Sequence, residues 1–98
     1  MVALTYYDLR FLTPGNTTTL PTAYQLATLQ HGNPRLRTER RTSRVFDWLQ
    51  APFVGGHFLG DYQGLAADGK GVRAVLTETD SGAPQNRTDV YSGSFRTR

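Results

Sequence analysis

Four groups of residues in this chain could do chemistry. The first is the acidic-aromatic pair Asp61-Tyr62, inside "GHFLGDYQGLAADGKGVRAVLTET" over residues 56–79. A tyrosine there is either a strand-end packing residue or a nucleophile, and a nucleophile needs a neighbouring carboxylate to take its proton. Glu78 and Asp80 form the second group, as candidate acid or base; the competing reading places both in a solvated turn. Asp8 and Arg10 of "YYDLR" form the third. They sit two apart and project to one side of a strand, as a strand-end ion pair or a ligand contact. The fourth is the basic run "PRLRTERRTSR". It could touch phosphate or an anionic glycan, or be an exposed edge strand protected by its charge. It lacks interleaved aromatics and any nucleic-acid motif, which argues against nucleic acid as a partner.

Other chemistries are poorly supplied. There is no cysteine, so disulfides, thiolate metal sites and a cysteine nucleophile are excluded. His31 and His57 stand far apart with no ligand pattern, and neither a metal nor a cofactor is expected. "GNTTT" and "GKG" lack the spacing of a phosphate loop. Asn16-Thr17-Thr18 and Asn86-Arg87-Thr88 match the glycosylation sequon, which has meaning only in a eukaryotic secretory pathway.

The elements that must position these groups are short. The 98 residues suffice for one domain, read here as a single unit over 1–98. The net charge of +3 rests almost wholly on arginine, since Lys70 is the only lysine. No apolar run approaches the ~18 residues of a membrane helix. The N-terminal "MVALTYYDLRF" lacks the basic and apolar regions of a signal peptide. It reads as a strand from almost the first residue, which predicts a fragment of something larger.

"VALTYY" alternates, with Val2, Leu4 and Tyr6 on one face and Ala3, Thr5 and Tyr7 on the other, and predicts a strand. "LTPGNTTTLPT" predicts a loop. "AYQLATLQ" is ambiguous between strand and helical turn, and its flanks favour a strand. "YQGLAA" and "VRAVLTE" flank "DGKG", a hairpin turn in which Gly69 or Gly71 takes positive φ. "DVYSGSF" closes an antiparallel meander. No segment of ten residues carries a helical period, so the expected class is all-β. The two halves are loosely alike, with room for about two four-stranded units on the scale of ~40–50-residue propeller repeats.

Taken in order, "VALTYYDLR", "TLPTAY", "FDWLQAP", "GHFLGDYQGLA" and "TETDSGAPQNRTDVYSG" resemble the C-terminal part of bacterial sialidase-like proteins of the BNR/Asp-box type. "GDYQGLA" with its glycine turn and apolar strand is the most specific piece. The resemblance spans nearly the whole chain. It implies a β-propeller, usually six-bladed, of which this chain would be about two blades. It also implies a secreted or cell-surface bacterial setting.

The Asp-box itself (Ser-x-Asp-x-Gly-x-Thr-Trp) is missing here; the family carries it on earlier blades. Sialidases use a tyrosine nucleophile, because an anionic one would be repelled by the substrate carboxylate. Tyr62 sits in a comparable place, with Asp61 beside it. Arginines hold that carboxylate in the family. Related proteins tend to show Arg after "FDM", where this chain has Leu49 and Gln50, so a cation is lost.

The resemblance therefore implies a non-catalytic or degenerate sialidase-like module with an interaction or structural role, glycan binding included. The alternatives are part of an exo-sialidase and a basic β domain binding anionic polymer. Two blades cannot close a ring, so the expected partners are copies of the chain in a homo-oligomer or the remaining blades of a propeller. Residues 2–7 and 89–95 are the strands expected to meet them.

Overall fold

The computed structural model describes residues 2–30, 33–60, 63–80 and 87–96, with backbone alone for 30 and 33–37. Asp61, Tyr62, His31 and Asn86 lie outside the described residues, so the first candidate pair has no structural account here.

The chain is all-β, in two antiparallel sheets, and no α-helix occurs among the described residues. The first sheet contains β1 (Val2–Asp8), β2 (Pro21–Gln30) and β3 (Asn33–Arg41), in that order, with β4 (Phe46–Asp47) on the end of β2. The ambiguous "AYQLATLQ" is thus a strand. It begins at Pro21, a position where the missing N–H of proline is tolerated. The register pairs Tyr7 with Tyr24 and Thr5 with Leu26, and Leu26 with Arg40. The basic run forms β3, an edge strand of this sheet.

A single 3-10 turn, Trp48–Gln50, follows β4. Asp47 caps it by accepting from Leu49 N–H at 3.0 Å and from Leu20 N–H at 2.9 Å.

The second sheet is the meander β5 (Gly64–Ala67), β6 (Gly71–Thr79) and β7 (Thr88–Arg96). Its hairpin turn uses Gly69, at φ 84°, for the left-handed residue, rather than Gly71. The Asp68 carboxylate accepts from Lys70 N–H at 3.3 Å and steadies the turn. Gly71 serves a different end: a Cβ there would stand 2.0 Å from the Phe95 carbonyl oxygen across the ladder. The expected pair of four-stranded units is met by one four-stranded sheet and one three-stranded sheet, and the sheets do not close.

The sheets meet on the Ala3-Thr5-Tyr7 face of β1, leaving Val2 and Leu4 exposed on the outer face. Tyr24, Ala74 and Leu76 are buried between the sheets, with Tyr7 and Phe95 packed against them. Phe46, Ala51 and Leu59 form a second cluster, which shares Tyr7 and adds Trp48. Tyr7 stands edge-on to Tyr24 (4.9 Å between centroids) and to Trp48 (5.3 Å), an arrangement favoured by the ring quadrupoles. The radius of gyration of 14.9 Å exceeds the ~13 Å of a compact chain of this length, as two open, stacked sheets require.

Candidate functional site

Three consecutive residues of β6 are each tied to the first sheet's half of the molecule. Pairing between β5 and β6 is described as far as Gly64 opposite Val75. Beyond it, the Tyr7 hydroxyl takes up the backbone of Thr77, accepting from its N–H at 3.1 Å and donating to its carbonyl at 2.9 Å. A side chain here satisfies a strand's polar groups as a neighbouring strand would. Next, the Glu78 carboxylate accepts from Arg44 Nε at 2.9 Å. Arg44 Nη2 also donates to the Thr79 carbonyl at 2.9 Å. Thr79 closes the series, its hydroxyl donating to the Asp47 carbonyl at 2.7 Å.

Glu78 lies within β6 and is only 5% exposed, which corrects the expectation of a solvated turn. The reason is the register. Val72, Ala74, Leu76 and Glu78 alternate inward, and the last inward position of the strand falls where Arg44 can meet a carboxylate. Across the ladder Glu78 faces Asp89. Like charges in that position repel, and Arg44 offsets the repulsion. The contact with Glu78 is the main cause that holds the Arg44 pKa above its ordinary value.

Burial raises the phenol pKa of both Tyr7 and Tyr24. For Tyr7, hydrogen bonding to Thr77 acts in the opposite direction without cancelling it. Tyr24 carries its hydroxyl to the Gln63 side-chain oxygen. Both phenols are therefore held neutral well into the alkaline range.

Beside the Arg44–Glu78 pair, an open cleft of about 340 Å³ runs between residues 42–44 and the inner face of β6 and β7. Leu76, Tyr91 and Phe95 supply its apolar lining, and Arg44 and Glu78 its charges. Gly93 belongs to the same wall. A Cβ there would stand 2.8 Å from the Phe95 ring, so the glycine lets that ring lie back over β7.

The other candidates are elsewhere. Asp8 and Arg10 form an ion pair, and Arg10 also meets Glu39 at 2.7 Å. The Gln25 amide donates to Asp8 at 3.3 Å. Asp8 points to the face of β1 opposite Tyr7, so this network and Glu78 do not share a site. The arginines of the basic run whose side chains are described, Arg40, Arg41 and Arg44, are each engaged within the chain. Arg40 lies over the Phe95 ring at 5.4 Å and donates to the Arg96 carbonyl, while Arg41 lies over Phe11 at 5.9 Å.

Gln50, which with Leu49 stands where the resembling proteins tend to show Arg, accepts from Arg87 at 3.2 Å. His57 contacts the Ala51 carbonyl at 3.2 Å. No cluster of three metal-ligating side chains occurs among the described residues.

Sequence reasoning passed over Tyr7, Tyr24 and Arg44. Tyr7 carried one signal: a tyrosine on the smaller-residue face of an alternating strand must find a partner for its hydroxyl if that face is buried. Arg44 closed the basic run and was not separated from it.

Comparison with known proteins finds no matching family model, no matching curated protein and no matching solved structure.

Proposed function

We propose that this chain is a non-catalytic, sialidase-like β-module whose two sheets act as blades of a propeller-type assembly, and that it works by joining copies of itself. The observation that carries this reading is the contrast among its strand edges. β3 is guarded by the charge-rich "NPRLRTERR", and β5 is only four residues long. β1 and β7, with "VALTYYD" and "TDVYSGSFR", are long and carry charge only near their ends. Neither contains proline or lysine, the usual guards of an open edge. Among the described residues, β1 pairs with β2 alone and β7 with β6 alone. The outer faces add to this, since Val2 and Leu4 on one sheet and Val75 and Val90 on the other are exposed.

The site chemistry also favours holding over turnover. Glu78 is engaged by a guanidinium, and the Tyr7 hydroxyl is occupied on both sides by backbone.

Light scattering over a range of concentrations tests the proposal. A discrete oligomer, such as a trimer of two-sheet units, is the expected result. A chain that stays monomeric throughout overturns it. Turnover of a fluorogenic sialoside, abolished by Tyr62→Phe, would replace it with the exo-sialidase reading.

A further inference from the structure

Strand joining does not call on the cleft beside β6. We propose that this cleft binds an uncharged, hydroxyl-rich ring of the size of one pyranose. Its volume of about 340 Å³ is at the small end of the ~300–1,000 Å³ range of ligand clefts. That leaves room for one ring and little more.

The lining combines two kinds of surface. Leu76, Phe95 and the exposed Tyr91 give apolar area on which the C–H face of a sugar can rest. Arg44 and Glu78 give a donor and an acceptor in fixed positions. The guanidinium is tied through Nε to Glu78 and through Nη2 to the Thr79 carbonyl, while more than half of the side chain stays exposed. Little ordering of these groups remains to be done on binding, which favours affinity. A hydroxyl both donates and accepts, so adjacent ring hydroxyls complement a guanidinium and a carboxylate held side by side.

Charge decides the class of ring. Arg44 is already matched by Glu78, and these two are the charged side chains of the cleft lining. A ligand carboxylate or phosphate entering here would compete with Glu78 for the one guanidinium of the lining. A neutral sugar meets no such opposition.

The test is an NMR titration of the labelled chain with methyl β-glucopyranoside and methyl β-galactopyranoside, with N-acetylneuraminic acid and glucuronate as charged contrasts. At least one neutral glycoside is expected to bind at about millimolar Kd, shifting the signals of Arg44, Glu78 and Tyr91. Tyr91→Ala should weaken that binding about tenfold, and Tyr91→Phe, which keeps the ring, should retain most of it. The wild-type titration decides the matter even where a variant folds poorly. No shift up to on the order of 100 mM glycoside, shifts mapping to another surface, or tighter binding of the acidic sugars would each overturn the proposal. None of these outcomes alters the solution mass, so this proposal and self-joining fail separately.

Discussion

β2 and β6 are the central strands of the two sheets, and they are held in different ways. From Thr22 to Thr28 every residue of β2 is buried, on both faces. One face meets the second sheet. The other lies under the Asp8–Arg10–Glu39 network and its neighbours. β6 instead alternates buried and exposed residues, with Val72, Ala74 and Leu76 inward and Arg73 and Val75 outward. What secures β6 beyond its inward face is polar and concentrated at one end, through Tyr7, Arg44 and Asp47. The first sheet is thus a packed core, and the second is docked on it through a few specified bonds. The two differ accordingly in what a mutation can do. Removing volume from β2 affects the whole molecule, whereas cutting a bond at the end of β6 loosens one sheet.

That contrast can be broken most sharply at Tyr24. Tyr24→Ala removes a fully buried ring between the sheets and should cost about 4 kcal/mol. That is a large share of the ~5–15 kcal/mol typical of a domain. Urea denaturation should show the whole cooperative transition moved to lower denaturant. Gly71→Ala probes the second sheet. Its Cβ would collide with the Phe95 backbone carbonyl, and a loss of about 3 kcal/mol is expected from overpacking against a group that cannot rotate away. Hydrogen exchange should rise first in β6 and β7.

Tyr7→Phe keeps the ring contacts and strips the hydroxyl from the Thr77 N–H and carbonyl. Leaving these part-buried groups unpaired should cost about 2 kcal/mol. The gain in exchange should centre on Thr77 and its neighbours, with β2 protected as before. Equal loosening of both sheets would show that the second is not docked separately.

Alkaline pH acts on the same contact. Both phenols have folded pKa values above the ordinary 10.0. Above pH 10.0 the unfolded chain releases protons that the folded chain retains. Stability is therefore complete below pH 10.0 and falls as pH rises towards the folded values. Absorbance titration should show two of the five tyrosines ionising late, together with unfolding.

The smallest effect is expected at Arg44. Arg44→Gln removes a partner that is more than half exposed, so after solvent screening about 1 kcal/mol is at stake. The thermal midpoint should drop only slightly.

How much of this was legible in the residues varies by element. The alternation of "VALTYY", the glycine hairpin and the closing "DVYSGSF" each specify a strand locally, and each is found as one. "AYQLATLQ" could not be settled locally, because a strand buried on both faces has no polar-apolar period to betray it. Glu78 was misplaced for a related reason. Its charge suggested solvent, while its parity with Val72, Ala74 and Leu76 sent it inward. The ion pair of Asp8 with Arg10 was readable from their spacing, but its extension to Glu39 depends on how β2 aligns the outer strands.

The sequence by itself determined an all-β chain with antiparallel pairing, because side-chain period and turn chemistry act over a few residues. It also fixed where the charge lies, on "NPRLRTERR", though only the sheet order makes that strand an edge. Only the tertiary structure decided which face of β1 turns inward, that Tyr7 would stand in for a strand at Thr77, and that Arg44 would meet Glu78 34 positions away. The physical reason is that these choices rest on register and on the stacking of two sheets. Such contacts join groups far apart in the chain, and no local spacing encodes them.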